Sequence, residues 1–104
     1  MQTNSDRMPP VHPGEILMEE FMRPLGLSQT RLARATGMPQ SRIQGIVNGR
    51  RGITWDTAIR LAAYFGTSAE FWLHAQAGYE LDAAEYSGKR RMIEREIHPE
   101  TAPA

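Results

Sequence analysis

The chain has 104 residues, enough for one small domain, and its 12 basic and 12 acidic side chains leave it formally neutral. It has no cysteine, which excludes a disulfide scaffold and a thiolate metal site and suits a reducing cytoplasm. No apolar run approaches membrane-spanning length and the N-terminus, MQTNSDRMPP, is polar, so neither a membrane segment nor a signal peptide is expected.

In chain order, residues 1–11 read as a flexible arm, polar and proline-bearing. Pro13 suits the first position of a helix, and Glu15 favours that helix's N-terminal dipole. Met18, Phe21, Met22 and Leu25 then recur at the spacing of one buried face, until Pro24 and Gly26 end the helix. Ser28 is a good N-cap for a second helix with Leu32, Ala33 and Thr36 facing inward, and Gly37 stops it. Met38 anchors the turn. Pro39 starts a third helix, pinned to the core by Ile43 and Ile46 and closed by Asn48-Gly49. Thr54 caps a fourth helix whose buried stripe is Ala58, Leu61, Ala62 and Phe65. The stretch TSAE, Thr67 to Glu70, reads as a capping box opening a fifth helix that runs to about Tyr86, before Gly88. Residues 88–104 form a basic, amphipathic extension and tail. No strict alternation of apolar and polar residues persists, so no strand is expected and the fold class is all-α with five helices.

Charge is segregated along this chain. From Ser28 to Thr54 there are five arginines and no acid, while acids dominate the segments on either side. The same block holds two short helices around the turn TGMP, the helix-turn-helix signature. Small Ala33 lets the helices approach and Gly37 accepts a backbone conformation that a side chain resists. With Ile43 and Ile46 turned inward, Gln40, Ser41, Arg42 and Gln44 face outward with the donors and acceptors that read base edges in a major groove. Ser28 and Gln29 at a helix N-terminus, and Asn48, Arg50, Arg51 and Thr54 on the far side, are placed to hold phosphates. Two packed helices with a merely solvated polar face would share the hydrophobic pattern, but not the acid-free polar surface.

On the fifth helix Phe71, Trp72, Leu73, Gln76, Tyr79 and Leu81 offer more apolar surface than one helix of a small domain can easily bury. They are the candidate two-fold interface, which would set two recognition helices about one DNA turn apart; part of the set could equally complete the core. Glu15, Glu19 and Glu20 on the first helix are a solvated face or a docking patch for a basic protein. No nucleophile–base pair, phosphate loop or metal cluster is present, and the three histidines are scattered, so no catalytic residue, metal or cofactor is expected.

The segment LGLSQTRLARATGMPQSRIQGIVNGRR resembles the phage-repressor-like, Xre/Cro-type helix-turn-helix family. With HPGEIL, NGRRGIT and TSAEFWLHAQAGYEL, the stretch from residue 12 to residue 84 is similar to the HigA (VapI-type) antitoxins. It departs from the usual pattern at His74-Ala75, at Glu80, and at Gly45, where related repressors carry a long polar reader. The resemblance implies a cytoplasmic homodimer that binds double-stranded operator DNA, represses its own operon and neutralises a HigB-type mRNA interferase. A stand-alone repressor without a toxin, or an adaptor that has lost DNA binding, are the alternatives. The expected organisation is thus an arm over 1–11, a helix-turn-helix domain with its dimerisation helix over 12–87, and the extension over 88–104.

Overall fold

In the computed structural model, which describes residues 8–101, the chain enters its first helix at a histidine cap. His12 Nδ1 accepts the Gly14 N–H at 2.9 Å, and Pro13 opens α1 (Pro13–Ile16). The helix continues without a break into a π-helical stretch, Leu17–Met22, closed by Arg23 N–H donating to the Met18 carbonyl. This wider winding changes the inward face. Leu17 and Met22, five apart and so stacked on a π turn, are buried, while Met18 and Phe21 are half-buried. Leu25, expected in the core, is 64% exposed because the chain has already left the helix for a turn.

α2 (Gln29–Thr36) is capped by Ser28, whose hydroxyl accepts the Arg31 N–H at 3.1 Å. Leu32, Ala33 and Thr36 face inward as expected. Gly37 adopts φ +71°, turning the chain so that Met38 is buried and Pro39 can lead into α3 (Gln40–Val47). Ile43 and Ile46 are completely buried, each contributing about 1.5–3 kcal/mol relative to exposure. They hold the recognition helix against the core and leave its other face outward.

α4 (Trp55–Phe65) starts at Thr54, whose hydroxyl accepts the Thr57 N–H, and buries Ala58, Leu61 and Ala62. α5 (Ala69–Ser87) has Ser68 as its cap, accepting the Phe71 N–H at 3.0 Å. The capping box expected from Thr67 to Glu70 therefore does not form: Thr67 lies one residue too early, and its hydroxyl accepts the indole N–H of Trp72 at 2.8 Å. Trp72 is completely buried and meets the rings of Phe21, Phe65 and Phe71 at centroid distances of 5.0, 6.4 and 5.0 Å.

Gly88 then separates α5 from a sixth helix, α6 (Lys89–Glu96), where the sequence reading had only an extension. α6 buries no residue, so no core stripe announced it; Arg90 pairs with Glu94 one turn on and with Glu85 of α5. All elements among the described residues are helical, in keeping with the expected all-α class. The flexible ends expected from the sequence fall in part on residues 1–7 and 102–104, which lie outside the described residues.

Candidate nucleic-acid interface

The outward face of α3 is built on two close approaches. At its base, α1 packs so tightly that a Cβ on Gly14 would overlap the Ile46 carbonyl. At its exposed side, the chain returns after Asn48 and lays Arg51 back over the helix. The N–H groups of Arg50 and Arg51 both donate to the Gly45 carbonyl, at 2.8 and 3.0 Å. A Cβ on Gly45 would stand 2.9 Å from both Cγ and Cδ of Arg51. The glycine that interrupts the row of polar readers is thus the seat of an arginine stem.

Around Arg51 the expected contact residues come together. Ser41, Gln44, Gly45, Asn48, Arg50 and Arg51 line one open recess of about 310 Å³, and Arg42, Arg51, Gly52, Thr54 and Thr57 line a second of about 330 Å³. Thr30 Oγ1 donates to Gln40 Oε1 at 3.1 Å, which joins the first turn of α2, with Ser28 and Gln29, to the start of α3. The base-reading and phosphate-holding candidates therefore form one continuous surface rather than separate patches.

Several of these side chains already have partners. Ser28 Oγ accepts the Arg31 N–H and Thr54 Oγ1 accepts the Thr57 N–H as caps; the Ser28 hydroxyl keeps its O–H to donate, and that of Thr54 is directed to Thr57 Oγ1 at 3.4 Å. Asn48 Oδ1 accepts the Arg50 N–H at 3.4 Å. Arg42 donates from Nη1 to Asp56 Oδ2 at 2.7 Å, and Arg60 donates from Nε to the same oxygen at 2.9 Å. The hydrogen bonds from Arg60 and then Arg42 hold the Asp56 carboxyl below its ordinary pKa. The Asp56–Arg60 pair is a legible i,i+4 spacing, but nothing in the sequence couples Arg42 to an acid on the next helix. Sequence reasoning also left His12 without a role. It is buried, caps α1, and sits edge-on to Tyr79 at 4.8 Å.

Residues 18–72 match the helix-turn-helix family. The chain is 52% identical over 80 residues to virulence-associated protein I of Dichelobacter nodosus, covering 77% of this chain and 74% of that protein. It is 39% identical over 72 residues to antitoxin HigA-1 of Vibrio cholerae, covering 69% and 68% of the two chains. The solved structure of Pseudomonas aeruginosa antitoxin HigA with the higBA promoter superposes with a TM-score of 0.80 at 44% identity, over 88% of this chain and 99% of that one. The chain belongs to the HigA (VapI-type) antitoxins of the helix-turn-helix family. That membership sets it among antitoxins and transcription regulators rather than enzymes.

On this HigA-type scaffold the residues expected to form a two-fold interface divide. Trp72 is wholly inside the core and has no surface to offer a second copy, which corrects the sequence reading. Gln76 faces inward too: its Oε1 accepts the Ile53 N–H at 2.8 Å and fixes the segment after Arg51. Leu73 packs against the core and Tyr79 against His12. Phe71 and Leu81 are exposed, as are Met92, Ile93 and Ile97 beyond them. Glu15, Glu19 and Glu20 are all on the surface of the first helix, and Glu19 pairs with Arg23 at 3.1 Å. No helix among the described residues is long and apolar enough to cross a membrane.

Proposed function

We propose that this HigA-type protein binds double-stranded operator DNA through α2 and α3, represses its own operon as a homodimer in the cytoplasm, and neutralises a HigB-type mRNA interferase. The observation that carries the DNA reading is the acid-free recess lined by Ser41, Gln44, Gly45, Asn48, Arg50 and Arg51, organised by the seating of Arg51 on Gly45. In this reading Gln40, Ser41, Arg42 and Gln44 enter the major groove. Arg42 reads guanine and the glutamines read adenine. Ser28, Gln29, Asn48, Arg50, Arg51 and Thr54 hold phosphates on either side.

Support from relatives is direct for DNA: the P. aeruginosa HigA structure contains the higBA promoter. Support for a toxin partner is the antitoxin naming of the V. cholerae relative, together with the exposed acids Glu15, Glu19 and Glu20, which suit a basic ribonuclease. Support for the homodimer is the apolar surface left by Phe71 and Leu81 on α5.

Gel-shift titration on the DNA upstream of its own gene tests the first part. Preference over a scrambled duplex, weakening steeply as salt rises, is expected, and equal binding to both duplexes would count against it. Co-purification with the product of the adjacent gene tests the second. Capture of that product, lost when Glu15 and Glu19 are changed to Lys, supports the acidic patch. Specific DNA binding without any captured partner points instead to a stand-alone repressor.

A further inference from the structure

Asp56 belongs to α4, outside the polar surface described above, yet its Oδ2 accepts from both Arg42 Nη1 at 2.7 Å and Arg60 Nε at 2.9 Å. Arg60 in turn donates from Nη1 to the Thr36 carbonyl at 3.0 Å, at the end of α2. A bonded row thus runs from the turn between the two helices, through α4, to a guanidinium on the recognition helix. Arg42 keeps 29% of its side chain exposed, and its Nε and Nη2 engage nothing among the described residues. Those two nitrogens share one edge of the planar group. They form a two-donor fork of the kind that matches O6 and N7 of guanine. An arginine already held by a carboxylate has given up much of its rotamer freedom before DNA arrives.

We propose that Asp56 is a positioning residue for base readout: by holding Nη1 it aims the Nε–Nη2 fork of Arg42 into the major groove. The proposal rests on the DNA-binding reading above. The opposite consequence of the same contact would be sequestration, with Asp56 competing against DNA for Arg42. The unengaged fork argues for presentation, since presentation needs no rupture of the pair. Arg60 serves a different end, tying α4 to the turn, so losing it should affect stability more than readout.

The test uses the full chain and its variants R42A, D56N, D56E, R60A and R42A/D56N. Each selects from a randomised DNA duplex pool, and affinities for the selected site and its single-base variants are then measured by fluorescence anisotropy. Thermal unfolding of each variant is followed in parallel. R42A and D56N should both lose at least about fivefold discrimination at the same guanine-containing base pair. The double variant should lose no more than R42A alone. D56E, which moves the charge by one methylene, should blunt the same preference, and serves as the reporter if D56N does not fold. R60A should melt earlier and keep the preference. The proposal is overturned if D56N retains the wild-type base profile, or if it binds its site more tightly with that profile intact. A wild-type protein that enriches no sequence would instead overturn the DNA-binding reading and the role of Asp56 with it.

Discussion

The stem of Arg51 lies across Gly45, so closely that a methyl group at position 45 would stand 2.9 Å from its Cγ and Cδ. This contact decides where the guanidinium of the loop stands relative to the recognition helix. Arg51 is exposed, so its side chain can move aside at little cost to the fold. Gly45→Ala should therefore separate two properties. Helix propensity favours the variant by about 0.5–1 kcal/mol, which offsets the local crowding and leaves the melting temperature near that of the wild type. DNA affinity should fall for all sequences alike, because a phosphate contact is displaced rather than a base contact. Circular dichroism melts beside anisotropy titrations check both halves; a large drop in melting temperature would show that Arg51 cannot move as expected.

Gly14→Ala makes the opposite case. There the added methyl would overlap the Ile46 backbone carbonyl, in the middle of the α1–α3 contact, and no flexible side chain can give way. Overpacking of this kind costs about 1–3 kcal/mol or more. Chemical denaturation should show that loss, and any weakening of DNA binding should disappear once the folded fraction is taken into account.

Thr67 and Trp72 offer a core test. The indole N–H of a completely buried tryptophan donates to the Thr67 hydroxyl at 2.8 Å. Thr67→Val keeps the shape and leaves the donor unpaired, a penalty of about 1–3 kcal/mol. Thr67→Ser keeps an acceptor and should recover most of that stability. Equal denaturation midpoints for the two variants would contradict the hydrogen bond's importance.

His12 gives the fold a pH dependence. Burial is the main influence and lowers its pKa, opposed by a hydrogen bond with the Arg51 backbone and by the charge of Glu15. A base whose folded pKa is depressed takes up its proton less readily in the folded chain than in the unfolded one. Its contribution is fully present above the unfolded value of about 6.5 and is lost as pH falls through the lower folded value. Asp56 is also depressed, but its contribution fades only in the acidic range below its ordinary carboxylate value. Unfolding free energy should thus fall between neutral and mildly acid pH. His12→Asn, which keeps a capping acceptor, should flatten that part of the curve; an unchanged slope would remove His12 from the explanation.

Most helix boundaries were legible because they rest on local chemistry. Ser28 and Thr54 cap as their hydroxyls suggest, and Gly37 and Gly66 end helices in the left-handed conformation that a side chain resists. What escaped the sequence depends on distant partners or on departures from regular winding. A period of 3.6 residues cannot register the π-helical stretch that brings Leu17 and Met22 together. The aromatic-rich start of α5 looked like spare surface because its acceptor, Thr67, lies before the helix and the rings around Trp72 come from the π-helical stretch, α4 and α5. Arg42 and Asp56 are fourteen residues apart on different helices, so only the fold, in which α2 packs against both α3 and α4, reveals them as a pair. Gly45 was conspicuous in sequence yet unexplained until the returning loop put Arg51 upon it.

The central claim is that the surface made by α3 and the loop carrying Arg51, with the first turn of α2, is the one that meets DNA. Backbone amide shifts followed by NMR while the operator duplex is titrated into the protein test it most directly. The largest changes should fall on Gln40 to Gly45, Asn48 to Arg51, and Ser28 and Gln29. Changes concentrated instead on the exposed face of α5 and α6, around Leu81, Met92 and Ile93, would contradict it.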